Sequence, residues 1–212
     1  IVLYGAPKYS STGAKTEDAK SSSVKRKNER KDEKKNETSS TSGSGVPIEK
    51  SEAFLQSAGL LGATAKEIIK AVQPDAAVSS TAAALEASMN VIAMPNNRYV
   101  HVDSFVDLDE AEEAMGQILR THFAQFGGYS NNQLLFGAAS QELSMFLNDN
   151  DCENIDSVYA IARFFFDKKA VAGEAYKFST PHIFEKEPDY PMTLRGLMIH
   201  LARSNGGMLH AS

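Results

Sequence analysis

Several things are scarce in this sequence, and each scarcity removes a class of protein. Its 212 residues contain one cysteine, Cys152. A lone thiol excludes an internal disulfide framework and fits a reducing compartment. No run of about 18 apolar residues occurs, so no transmembrane helix is predicted and no membrane partner is expected. The N-terminus, IVLYGAPKYS, lacks the positive segment followed by an apolar one that marks a secretory signal. The expected location is therefore intracellular, in cytoplasm or nucleoid, or in the nucleus of a eukaryote. The chain starts with Ile1 rather than Met and stops soon after Gly206-Gly207, as expected of a fragment of a longer protein.

Motifs that carry chemistry are equally scarce. The histidines His101, His122, His182, His200 and His210 show no HExxH, HxH or paired-cysteine spacing, so no metal site is predicted. Asp149-Asn150-Asp151-Cys152-Glu153-Asn154 starts like a calcium loop, but its sixth position is Asn154 rather than Gly and its twelfth is Ala160 rather than Glu. It reads better as a turn leading into a helix cap. Asp151 and Glu153 flank Cys152 and should raise its thiol pKa, which argues against a nucleophile. No GxGxxG, P-loop or GxSxG pattern is present. The expectation is a non-enzymatic chain without a cofactor.

Positive charge is the last shortage, and it is confined to one part of the chain. Residues 1–50 carry 11 Lys+Arg against 7 Asp+Glu, whereas residues 51–212 carry 11 against 20, a balance of −9. Domains that grip DNA gather Lys and Arg on one face, because neutralised phosphates and released counterions supply most of the affinity. This balance argues against tight DNA binding by the folded part.

What is present begins with a long polar stretch. From Lys8 to about Lys50 the chain is Ser, Thr, Lys, Glu, Asn and Gly with almost no apolar residue, too little to offset the entropy of ordering, so residues 1–50 are expected to be a disordered, basic-leaning linker. Its centre, Lys25 to Lys35, reads either as a solvated spacer or as a nuclear-localisation or nucleic-acid tether. Ile1 to Pro7 is too short to assign.

With 42% hydrophobic residues, the remainder can bury more than one small core. Ser51 is expected to cap a short helix to Ala58 that buries Phe54 and Leu55 before Gly59 breaks it. Thr64 should cap the next helix, with Glu67 three positions on to close a capping box and Ile68, Ile69 and Val72 on the buried face. Pro74 and Asp75 end it. Ser79 or Ser80 is then read as the cap of an Ala-rich helix in which Leu85 and Met89 face inward. Val91 to Met94 and Tyr99 to Val102 are strand-like. Between them Asn96 and Asn97 occupy a hairpin tip, where Asn tolerates positive φ.

The second stretch repeats these signals. Glu110 to about Gln125 has Ala111, Ala114, Met115, Ile118, Leu119, His122 and Phe123 at helical spacing, with acids in its first turn. Gly127-Gly128 ends it, and Ser130 is read as the cap of a helix through Asn131 to Ala139. SQELSMFL either continues that helix or forms a separate turn. Asn154 should cap a helix over Ile155 to Asp167 with Val158, Ile161, Ala162 and Phe165 inward. Tyr176 to Phe178 and His182 to Phe184 are strand candidates, and Thr193 should cap a last helix to about Arg203. Glycine followed by a large apolar residue recurs after a helix near Gly59, Gly128 and Gly207, a weak internal repeat.

Residues 51–190 thus resemble tandem winged helix-turn-helix domains in element order and spacing. The resemblance implies a mainly α fold with small β-hairpin wings (α+β): residues 51–106 as one module, 107–190 as a second, and 191–212 as the start of a third. It also implies that recognition helices lie at Ser80 to Ser88 and Ile155 to Asp167. That superfamily is mostly associated with DNA binding, while some members serve as protein-contact surfaces. Positions that could touch nucleic acid are Lys66 and Lys70 on the first module's helix, Asn96, Asn97 and Arg98 at its wing tip, and Arg163, Lys168 and Lys169 in or after the second recognition helix. Asn96, Asn97 and Arg98 are the most suggestive of them, because a wing can place an Arg into a minor groove; each of the charged positions is also readable as an ordinary solvated charge. Two functions follow. One positions a larger protein on DNA through weak modules summed on one chain. The other is a protein-interaction scaffold that uses an acidic surface, its partner another protein or the remainder of a longer chain.

Overall fold

The structure, a computed structural model, describes residues 44–170, 176–186, 188 and 190–204. These lie within one compact unit, Ser40–Ser212. The linker expected over 1–50 lies outside the described residues up to position 43, and of the expected third module, residues 205–212, with Gly206-Gly207, lie outside them too.

The described residues are mainly helical, with two small antiparallel sheets. Its first half runs α1 (Ile48–Ala58), a 3-10 turn (Gly59–Leu61), β1 (Ala63–Thr64), α2 (Ala65–Val72), α3 (Val78–Ala87), β2 (Val91–Met94) and β3 (Arg98–His101). The second half runs α4 (Leu108–Phe126), β4 (Tyr129–Asn131), α5 (Asn132–Glu142), α6 (Ser144–Asp149), α7 (Ile155–Arg163), a π-helical turn (Phe164–Lys168), β5 (Lys177–Ser179) and β6 (His182–Phe184). Helix α8 (Leu194–Ser204) follows. The sheets have matching orders, β1-β3-β2 and β4-β6-β5.

Local chemistry explains most of the boundaries. At α2 the expected capping box is formed: Glu67 N donates to Thr64 Oγ1 at 3.3 Å, and Thr64 N donates to the Glu67 carboxylate at 2.7 Å. Ile68 and Ile69 are buried. Asn96 and Asn97 adopt φ of 61° and 56°, closing the turn where β2 and β3 meet at the Met94–Arg98 pair. Helix α4 ends at Gly127 with φ of 65°, the left-handed conformation that glycine takes without a Cβ penalty. Asn154 caps α7 by accepting from Ser157 N at 2.9 Å, and Thr193 Oγ1 accepts from Gly196 N at 3.0 Å at the start of α8.

Other expectations need correction. Ser51 caps nothing: α1 starts at Ile48 behind Pro47, and Ser51 is buried inside the helix, its hydroxyl donating to Pro47 O at 3.2 Å. Neither Ser79 nor Ser80 caps α3, which starts at Val78 without a side-chain cap. The residue that organises that end is Thr81, fully buried, whose hydroxyl donates to Ala77 O at 2.9 Å and accepts from Val46 N at 3.1 Å. Met89 is 58% exposed, because α3 ends at Ala87 and the i, i+4 relation to Leu85 lapses with it. Ser130 is not a cap; it sits in β4, and Asn131 caps α5 by accepting from Gln133 N and Leu134 N, both at 2.9 Å. Of the two alternatives for SQELSMFL, the separate element is the one formed, since α5 ends at Glu142 and Ser144 opens the short helix α6.

The core is what joins the two halves. Leu55, Ile68, Leu85, Val91 and Tyr99 form a cluster inside the first half. Ile92 and Val100 belong to a different and larger cluster, with Met115, Leu119, Val158, Ile161 and Phe165 of the second half. Adjacent residues on a strand point to opposite faces, so both faces of the β2–β3 ribbon are buried, one by its own helices and the other by α7. A third, small cluster of Phe184, Tyr190 and Leu197 covers the outer face of β6 with α8.

Candidate functional site

The residues expected to contact nucleic acid are scattered, and half of them are engaged elsewhere. Lys66 and Lys70 are exposed one turn apart on α2, with no ion pair among the described residues. Asn96 and Asn97 are exposed at the hairpin tip. Arg98 is not projected from that tip. Its Nε donates to Leu61 O at 2.7 Å, its Nη2 donates to Gly62 O at 2.8 Å, and its Nη1 lies 3.8 Å from the Glu67 carboxylate. Those bonds satisfy carbonyls left over where the 3-10 turn meets β1. Gly62, at φ 55°, is needed in the same place, because a Cβ there would run into the Tyr99 carbonyl. The Glu67 carboxyl titrates below its usual range, chiefly because Thr64 donates to it from backbone and side chain, with Arg98 a smaller contributor.

Lys168 and Lys169 of the second half are tied down in the same way. Lys168 Nζ donates to Val91 O at 2.8 Å and lies 5.5 Å from the Phe164 ring centroid, so it links α7's end to β2 of the first half. Burial pushes its ammonium pKa down, opposed by the Glu86 charge. Lys169 pairs with Glu112 of α4 at 2.8 Å. Arg163 remains exposed and pairs with Asp167 one turn on, at 3.4 Å.

Of the two expected recognition helices, α7 is not free to enter a groove, and α3 offers an exposed face without a cation. Ser157, Val158, Tyr159, Ile161 and Ala162 of α7 are all buried, as are Phe164, Phe165 and Phe166 after it, which leaves little of its circumference exposed. The helix packs between α5 and β2. In α3 the exposed positions include Val78, Ala83, Glu86 and Ala87, with no cation among its residues.

Groups with catalytic potential are equally constrained. His122 Nδ1 lies 2.9 Å from Ser130 Oγ, a serine–histidine contact, but Ser130 is fully buried and no substrate carbonyl reaches its oxygen. Burial lowers the His122 pKa, opposed by Glu142. Cys152 is buried, its Sγ 3.1 Å from Asn150 O, and its thiol is pushed up to about 11 by burial first and Asp151 second. Among the described residues, no three His, Cys, Asp or Glu side chains are grouped to hold a metal ion, and no helix is long and apolar enough to cross a membrane.

What the fold leaves open is a groove of about 450 Å³ between the β2–β3 hairpin and the loop before α7. Leu61, Met94 and Phe105 contribute apolar surface, and Asp151 and Asp156 line the opposite wall. Asn150 fastens that wall to the chain entering α4: its Oδ1 accepts from Val106 N at 2.8 Å and its Nδ2 donates to Val106 O at 3.1 Å. Leu61 is 80% exposed, and among the described residues Asp151 and Asp156 pair with no Lys or Arg. Sequence reasoning missed this surface because its walls lie some 90 positions apart in the chain, at Leu61 and Asp151. A trace was available in the paired apolar residues Val91-Ile92 and Tyr99-Val100, which do not alternate with polar ones and so signal a ribbon buried on both faces.

No family model matches the chain, and neither a curated protein nor a solved structure matches it at a significant level.

Proposed function

We propose that this chain is a non-enzymatic protein-interaction scaffold built from two winged helix-turn-helix-like units. The order helix, strand, helix, helix, strand, strand, together with the order β1-β3-β2 and its counterpart β4-β6-β5, supports the winged-helix reading. The observation that carries the scaffold reading is the burial of α7. In a DNA-reading winged helix the recognition helix lies in the major groove, whereas in the second half the helix just ahead of the hairpin, α7, is enclosed between α5 and β2, and Lys168 and Lys169 beyond its end are spent on Val91 O and Glu112. The acidic balance of residues 51–212 points the same way, since a field of that sign repels phosphate and steers basic partners inward.

A DNA-positioning role retains one favourable observation, the exposed and unpaired Lys66 and Lys70 on α2. A titration of the whole chain against labelled duplex DNA over a range of salt concentrations separates the two. The scaffold reading expects association no tighter than about 10⁻⁴ M near physiological salt, the weak edge of non-specific binding. Micromolar binding with a steep salt slope that Lys66→Glu and Lys70→Glu abolish would overturn it.

A further inference from the structure

We infer that the groove between the β2–β3 hairpin and the Asp151–Asp156 wall docks a short cationic, apolar segment of a partner protein. This rests on the scaffold reading and names the partner's chemistry. The groove has the two ingredients that such a segment needs and that water does not satisfy well. Part of its lining is apolar: Met94, Pro95 and the buried Val100 and Phe105 contribute to it, and Leu61, on the 3-10 turn after α1, stands 80% exposed. An exposed leucine beside a partly apolar cleft gains free energy when a second apolar side chain covers both, at roughly 25 cal/mol per Å² removed from water. A volume of about 450 Å³ falls within the range of natural binding clefts.

The opposite wall sets the sign of the partner. Asp151 and Asp156 line the groove, and neither forms an ion pair with a Lys or Arg among the described residues. Asp149 and Glu153 lie beside them in the chain. The one cation in the lining, Arg98, has its guanidinium committed to Leu61 O, Gly62 O and Glu67. The wall is also held in shape: Asn150 is 2% exposed and is bonded to both the amide and the carbonyl of Val106, and Asp151 takes a φ of 52° that turns the chain back toward α7. Two carboxylates fixed beside an apolar cleft favour ammonium or guanidinium groups that flank an apolar anchor, through charge-assisted hydrogen bonds.

The test is fluorescence polarisation of the whole chain with a labelled short peptide that alternates Leu with Lys. Saturable binding is expected, and the paired change Asp151→Asn with Asp156→Asn should weaken it by about tenfold or more, the scale of removing a charge-assisted hydrogen bond to a docked segment. Asn is compatible with the positive φ at position 151, and circular dichroism of the variant confirms folding. Leu61→Ser should weaken binding independently, as should replacing the peptide's Leu by Ser, whereas replacing its Lys by Glu should abolish binding. Binding that survives the paired Asp change, or that persists with the Ser peptide, overturns the proposal, the latter showing charge attraction alone. Duplex DNA is titrated in parallel. If the peptide fails while DNA stays silent, only the groove assignment falls. If DNA binds tightly with a steep salt slope, the scaffold reading itself falls.

Discussion

The two sheets share a strand order yet are covered on their outer faces in different ways. Over β2 and β3 lies α7, whose Val158 and Ile161 share with Ile92 and Val100 a cluster that draws on both halves of the chain. Over β6 lies a smaller cluster, Tyr190 and Leu197 around Phe184, with Tyr129 and Leu201 packed against it. The first sheet is therefore a seam inside the molecule and the second an edge closed by one helix. This contrast teaches that element order alone does not define an independent unit. The first half owns a core, yet it also supplies Ile92 and Val100 to its neighbour, and Lys168 fastens the seam through Val91 O.

Four measurements break or sharpen that contrast. The largest effect is expected at the seam. Ile92→Ala removes a fully buried side chain shared by both halves and should cost about 3 kcal/mol. Chemical denaturation should still show one transition, shifted as a whole, and the buried Cys152 thiol should react faster with a disulfide reagent at pH 8. Two separated transitions in the wild-type protein would show that the halves fold independently. At the thinner cover, Leu197→Ala should cost about 2 kcal/mol, less than the seam variant, since α8 can settle partway into the gap; a larger loss than at Ile92 would reverse the comparison.

A smaller change is expected at the hairpin. Arg98→Ala leaves the Leu61 and Gly62 carbonyls without their donors and should lower stability by about 1 kcal/mol in a thermal melt. An unchanged melting temperature would mean that water replaces the guanidinium at no cost. The least effect concerns acid. Burial holds the folded-state pKa of His122 below its usual 6.5, so the unfolded chain binds the proton more readily. Stability should then fall as pH drops from about 6.5 toward the folded value and level off beneath it. His122→Gln should flatten that slope, and a wild-type curve flat across the window would show that the histidine does not couple folding to acid.

Much of the chain was legible where the causes are local. The Thr64–Glu67 box, the two asparagines with positive φ, the glycine stop after α4 and the caps at Asn154 and Thr193 each depend on residues within one turn of each other. Ser51, Ser79, Ser80 and Ser130 misled because a serine near a helix start is only a candidate: Pro47, Val78 and Asn131 took the boundary in those places. Strands β1 and β4 are too short to show a period, and each forms only by pairing with a strand far along the chain. The site was hardest to read. Arg98 and Lys168 look alike as charges in a sequence, and only the folded chain brings the carbonyls of Leu61, Gly62 and Val91 within their reach. The run Phe164-Phe165-Phe166 was the overlooked sign, since three successive aromatic side chains cannot all face one side of a helix.

The strap ahead of α1 has a consequence for how this chain can be cut. Ser44 O accepts from Ala77 N at 3.3 Å, Val46 is 3% exposed, and its amide holds the Thr81 hydroxyl. Trypsin acting at Lys50 would sever the strap from most of α1. The released strap would take with it the apolar plug beside Leu85 and the donor to Thr81, turning a nick at the surface into a void within. A fragment trimmed to the start suggested by composition, Ser51, would carry the same lesion from birth, so recombinant pieces of this protein should begin no later than Ser44.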